Sequence, residues 1–182
     1  MERCSWCLGD DLYIKYHDEE WGVPNHDERV HFEFMVLESA QAGLSWITIL
    51  RKRENYRKAY DNFQPEIVSN YTDSKIEELM QNEGIIRNRR KIEASINNAK
   101  RFLEVQKEFG TFDKYIWSFV NNKPIVNSIE KIEDLPANSP LSDIISKDLK
   151  KRGFKFLGST IIYSYMHAIG LVNDHINTCI KK

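Results

Sequence analysis

Apolar residues in this chain recur at intervals of three and four, and nowhere does strict alternation run long enough to make a convincing strand. That periodicity predicts an all-α protein. A helix is expected to open near Asn25, which has capping-box spacing to Glu28. It runs through "DERVHFEFMVLESAQA" and stops at Gly43, a residue suited to a left-handed C-terminal cap. Ser45 then caps "WITILRKRENYRKAY", which buries Trp46, Ile49 and Leu50 while its far end turns basic. Further helices are predicted over 65–68, 73–81, 87–108, 111–120, 141–150 and 158–169, with a long loop over 121–140. The stretch "LMQNEGIIRNRRKIEASINNA" reads as two amphipathic helices joined through Gly84 and a basic turn. That is helix-hairpin-helix grammar, able to present backbone N–H groups and cations to a phosphate.

A length of 182 residues and a net charge of −1 suit one compact domain with no linker. There is no apolar run of about 18 residues. The start "MERCSWCLGD" lacks the basic and hydrophobic regions of a secretion signal, so a cytoplasmic protein is expected, monomeric by default. The near-zero charge hides segregation. Acidic residues crowd the segment from Glu2 to Glu38, whereas basic residues gather in "RKRENYRK", "RNRRK" and "KKRGFK". These three islands could converge on a phosphate backbone, or could be three solvated helix faces.

Three cysteines do not make a disulfide framework in a reducing compartment. In "DHINTC", His175 and Cys179 stand four apart, one turn if the segment is helical, so that both can face one ion. Two partners are missing, and Cys4, Cys7 and His17 are available near the N-terminus. Spacing alone favours Cys4 with Cys7, a common zinc knuckle, although any two would complete a four-coordinate shell. Such a closed shell predicts a structural clasp between the chain ends. The alternative is buried apolar cysteines and surface histidines.

Trp6, Tyr13, Tyr16, Trp21 and Trp46 are many large aromatics for the sequence neighbourhood of Glu38. They suit either an ordinary aromatic core or walls on which a flat heterocycle stacks while a carboxylate and a phenol bond its edge. Glu38 follows Leu37 and lies four residues from both Phe34 and Ala42, so its helical stripe is largely apolar. A buried, unpaired carboxylate there is costly.

The segments "RCSW", "LYIKYHDEEWGVP", "LESAQAGLSWITILRKRENY", "GIIRNRRKI", "WSFV", "KKRGFKFLGSTI" and "GLVNDH" resemble the DNA-3-methyladenine glycosylase I family across essentially the whole chain. The resemblance implies an all-helical member of the helix-hairpin-helix glycosylase superfamily with a structural zinc ion. It further implies a monofunctional repair enzyme that excises 3-methyladenine from alkylated double-stranded DNA without strand cleavage. Carried over by position, the zinc ligands fall on Cys4, His17, His175 and Cys179, which selects His17 over Cys7. The base site falls on Glu38, Tyr16 and Trp46, with Trp6, Tyr13 and Trp21 as further walls. The corner holding Gln41, Gly43 and Leu44 becomes the wedge into DNA, and Arg87, Arg89, Lys91, Lys151 and Arg152 become backbone contacts. Arg90 departs from the family, whose members often carry a small residue there.

Two other classes remain open at this stage. One is a zinc-stabilised helical module that binds damaged DNA but releases no base. The other is a hydrolase with a catalytic zinc, which requires a ligand position free for water.

Overall fold

The computed structural model describes residues 2–182. Among them are nine α-helices: α1 (Asp11–Glu19), α2 (Glu28–Ala40), α3 (Trp46–Ala59), α4 (Pro65–Val68), α5 (Asp73–Gln81), α6 (Arg89–Phe109), α7 (Phe112–Ser118), α8 (Pro140–Lys151) and α9 (Ser159–Ala168). Among the described residues, no helix is long and apolar enough to cross a membrane. The all-α expectation holds in part: the described chain is mostly helical, with helices 65–68 and 73–81 at the expected bounds.

The structure corrects the expected start of α2. Asp27, not Asn25, is the cap, and its carboxylate accepts the Val30 N–H at 3.0 Å. Asn25 instead accepts the Asp27 N–H at 2.9 Å. Glu28 closes no box on its own helix. Its carboxylate accepts the N–H groups of Phe112 (2.9 Å) and Asp113 (2.7 Å) and so holds the start of α7. Similarly, Asn88 caps α6 and Thr111 caps α7, each shortening the expected helix.

Helix α1 was not anticipated. Its moderate amphipathicity is supplemented by Asp10, which accepts the N–H groups of Leu12 and Tyr13. The structure also departs from purely α character. Two short strands, β1 (Ile125–Val126) and β2 (Val172–Asn173), pair in parallel with Ile125 opposite Val172 and Val126 opposite Asn173. The ladder continues as a bridge between Ile129 and Ile176, and a further bridge joins Glu2 to Cys179. A pairing 47 residues apart in sequence, between strands of two residues each, leaves no local alternation to read. The two ends of the chain are thereby fastened: Glu2 N–H donates to the Thr178 carbonyl and Ile180 N–H to that of Glu2.

Helix α2 lies at the centre, packed against α3, α6, α7 and α9, with Phe32, Phe34, Met35 and Leu37 fully or almost fully buried. It ends at the 41–45 turn, where Gly43 takes φ +79° and Leu44 N–H donates to the Gln41 carbonyl at 2.7 Å. At the end of α9, Gly170 (φ +72°) abuts the Val23–Pro24 backbone so closely that a Cβ would sit 2.2 Å from the Val23 carbonyl carbon. That contact seats the segment carrying Trp21 against α9.

Candidate active site and metal cluster

Two glutamates on α2 are buried, and the fold treats them oppositely. Glu33 is met by Arg29, Arg53 and Arg57. Burial raises its carboxyl, but the charge of Arg53 and hydrogen bonds from these arginines outweigh that and hold it below the ordinary value. Glu38, 2% exposed, has no counter-ion, and its Oε2 lacks any partner among the described residues. Burial alone pushes this carboxyl well above the usual glutamate range. The fold thus neutralises one buried acid and leaves the other unpaired.

What Glu38 meets is a cavity of about 210 Å³ lined by Trp6, Tyr13, Tyr16, Trp21, Glu38, Gln41, Trp46, Leu135, Ser164 and His167. The ring of Tyr16 stands 5.5 Å from that of Trp46 at 56°. Burial, and then the neighbouring Glu38, raises the Tyr16 hydroxyl well above the ordinary tyrosine value, which keeps it a donor. Trp46 Nε1 is also buried without a partner among the described residues. Trp6 packs edge-on against Tyr13 (4.9 Å) and Trp21 (5.1 Å), bracing the rest of the wall. All six anticipated pocket residues thus share one cavity. Leu135, Ser164 and His167 were not anticipated, because they come from a distant loop and from α9, and no spacing links them to Glu38.

Behind this wall, Cys4, His17, His175 and Cys179 are all buried, with their ligand atoms within 4.8 Å of one another. Cys179 Sγ lies 3.5 Å from His17 Nε2 and 3.4 Å from His175 Nδ1, and Cys4 Sγ lies 3.7 Å from His175 Nδ1. Each imidazole is oriented from outside. His17 Nδ1 is 2.7 Å from the Asp18 carboxylate and His175 Nε2 is 2.9 Å from the Trp21 carbonyl, so both outer nitrogens donate and both inner ones offer lone pairs. Arg3 fastens Asp18 in turn, and chiefly through that bond holds the Asp18 carboxyl at about 2. Burial pushes the His175 ring down to about 4 and the Cys4 thiol up to about 12.

Cys7 stays outside the cluster, its thiol donating to the Cys4 carbonyl at 3.1 Å. The 175–179 segment is not helical. A turn closed by Cys179 N–H on the Ile176 carbonyl brings Cys179 round to His175, which corrects the helical-turn expectation.

The wedge candidates sit on the 41–45 turn, with Gln41 lining the cavity and Gly43 and Leu44 exposed. The basic islands separate. The first is largely absorbed: Arg51 pairs with Asp10, Arg53 with Glu20 and Glu33, and Arg57 with Glu33. The other two meet at the end of α2. There Lys91 Nζ donates to the Ala40 carbonyl, Ser39 Oγ reaches the Phe156 carbonyl, and Asn98 of α6 bonds both backbone groups of Lys155. Arg87 and Lys151 are exposed, while Arg89 pairs with Glu77. Arg152 is held by Glu108 and Asp148, with its guanidinium 5.0 Å from the rings of Phe109 and Tyr115.

Helices thus surround an aromatic cavity that holds a buried, unpaired carboxylate and is backed by a Cys2His2 cluster. The methyladenine glycosylase family model matches residues 6–182. DNA-3-methyladenine glycosylase 1 of Escherichia coli K12 is 50% identical over 179 residues, covering 98% of this chain and 96% of the relative. DNA-3-methyladenine glycosylase of Haemophilus influenzae is 48% identical over 177 residues, covering 97% and 96%. A 3-methyladenine DNA glycosylase I variant solved in complex with 3-methyladenine superposes with a TM-score of 0.96 at 39% identity, covering 100% of this chain and 98% of that one. The chain belongs to the methyladenine glycosylase family.

Proposed function

We propose that this protein is a monofunctional DNA glycosylase that flips 3-methyladenine out of alkylated duplex DNA and releases it hydrolytically. The observation that carries the reading is Glu38 Oε2, buried and unpartnered in an aromatic cavity.

Methylation at N3 makes the adenine ring cationic, so the glycosidic bond is already weak. When it breaks, the bonding electron pair passes to the ring and the base leaves neutral; water adds to the sugar cation and loses a proton. Glu38 would accept from the exocyclic amine, Tyr16 would bond another edge atom, and Trp46 would stack on the ring. The approach of a cation opposes the burial that keeps Glu38 protonated and favours its carboxylate. Charge attraction in a partly dried cavity exceeds its value in water, so a cationic base gains more than neutral adenine. No lysine lines the cavity among the described residues, which supports base release without a Schiff base and without strand cleavage.

The 41–45 turn, led by Leu44, would fill the gap left by the flipped nucleotide, at an unstacking cost of a few kcal/mol. The helical hairpins α5–α6 and α8–α9 would grip the flanking backbone in helix-hairpin-helix fashion, with Arg87, Arg89 and Lys91 from the first and Lys151 from the second. Arg152 is committed to Glu108 and Asp148 and would brace the second hairpin rather than touch phosphate.

The Cys2His2 cluster fits zinc. Bond lengths of about 2.3 Å to sulfur and about 2.0 Å to nitrogen in a tetrahedron require sulfur–nitrogen separations of about 3.5 Å. The three measured here are 3.4, 3.5 and 3.7 Å. Cys4, His17, His175 and Cys179 would hold the ion, which supplies a structural tie between the chain ends; four side-chain ligands leave no position for a reacting water.

Alkylated duplex DNA incubated with the protein should yield free 3-methyladenine and intact abasic strands. Binding without release, or nicks formed as fast as base is released, would contradict the proposal.

A further inference from the structure

His167 is the one histidine lining the cavity, and both of its surroundings are built. Nε2 lies 2.8 Å from Asp174 Oδ2. Asp174 is fully buried and also accepts from the Tyr163 hydroxyl and from Asn127 Nδ2 at 2.8 Å. A carboxylate already serving as acceptor to two donors takes the Nε2 proton as a third, which leaves Nδ1 as the remaining polar atom of the ring. Nδ1 has no partner among the described residues.

The ring is fixed in plane as well. It lies 5.1 Å from the Trp21 indole at 24°, and the His167 carbonyl accepts the Gly22 N–H at 2.8 Å, tying the histidine to the turn that carries Trp21. An imidazole held through Nε2, laid flat against a wall ring and left with Nδ1 unpartnered among the described residues is arranged as a ligand group rather than as filler.

We infer that His167 is a base-contacting, specificity-determining residue whose Nδ1 accepts a hydrogen bond from an N–H edge of the heterocycle in the cavity. The inference rests on the base-pocket reading above and adds to Glu38 a second acceptor. A base presenting an oxygen or a bare ring nitrogen to that position would set lone pair against lone pair, so the site selects bases with donors on that edge.

Calorimetric titration of the full-length protein with free 3-methyladenine tests this. His167→Phe keeps a ring against Trp21 but removes both nitrogens, and should weaken Kd roughly tenfold with an unchanged near-ultraviolet dichroism spectrum. His167→Gln retains a donor for Asp174 and an acceptor, and should restore Kd to within about threefold of the wild type. A His167→Phe protein that binds as the wild type does would overturn the inference, as would two variants that lose affinity equally. Should the phenylalanine variant fail to fold, His167→Gln decides alone: near-wild-type affinity is expected, and a tenfold loss contradicts it. Loss of all binding by the wild type would instead remove the base-pocket reading itself.

Discussion

The Trp21 indole stands 4.5 Å from the His175 imidazole at 85°, so a ring that walls the cavity also rests on a member of the Cys2His2 cluster. Trp6 repeats the relationship, 5.3 Å from His17. The cluster and the cavity are therefore back to back, and disturbing one should be felt in the other. Cys179→Ser removes one sulfur of the cluster without touching Trp21. It should abolish stoichiometric zinc, lower the melting midpoint by roughly 10 °C, and weaken 3-methyladenine binding roughly tenfold or more. Metal analysis, thermal melts and calorimetry read the three effects. Unchanged base binding in a zinc-free, folded variant would separate the two sites.

The unpaired carboxyl of Glu38 makes stability depend on pH. Because burial raises its folded-state value, protonated Glu38 is tolerated at low pH, and its contribution is lost as pH rises from the ordinary glutamate range towards the raised value. Glu38→Gln should therefore melt close to the wild type near about pH 4.5 and roughly 5 °C above it near about pH 8. Melting curves of both proteins across that interval check the sign. A gap that closes with rising pH would mean that Glu38 is ionised and paired in the free protein.

Lys151 and Arg152 are neighbours with opposite commitments. Lys151 is exposed and carries no ion pair among the described residues, whereas Arg152 is anchored to Glu108 and Asp148. Lys151→Gln should reduce the slope of log affinity for duplex DNA against log salt by about 1 and leave melting unaffected. Arg152→Gln should cost roughly 3–5 °C of melting midpoint with the salt slope unchanged. The reverse pattern would move the phosphate contact to Arg152.

What could be read from the chain follows the range of the interactions involved. Helices 65–68 and 73–81 emerge from local spacing, and the quartet of Cys4, His17, His175 and Cys179 from ligand chemistry joined to family resemblance. The cap of α2 was misplaced because Asn25, Asp27 and Glu28 all have capping side chains, and only tertiary structure sends Glu28 to α7. The β1–β2 pair and the non-helical turn at His175 escaped because their partners are distant in sequence. His167 escaped for the same reason: its meaning comes from Asp174 and Trp21, which only the packed α9 brings to it.

The most direct test of the account is single-turnover release of 3-methyladenine from alkylated duplex DNA by the wild type and by Glu38→Gln, with folding matched by circular dichroism. If the unpaired carboxylate meets the cationic base, release should fall roughly 100-fold in the variant, the worth of one or two hydrogen bonds to a charged group, while its stability is kept or raised. Release within a fewfold of the wild type would make Glu38 a structural residue and remove the basis of the proposed recognition.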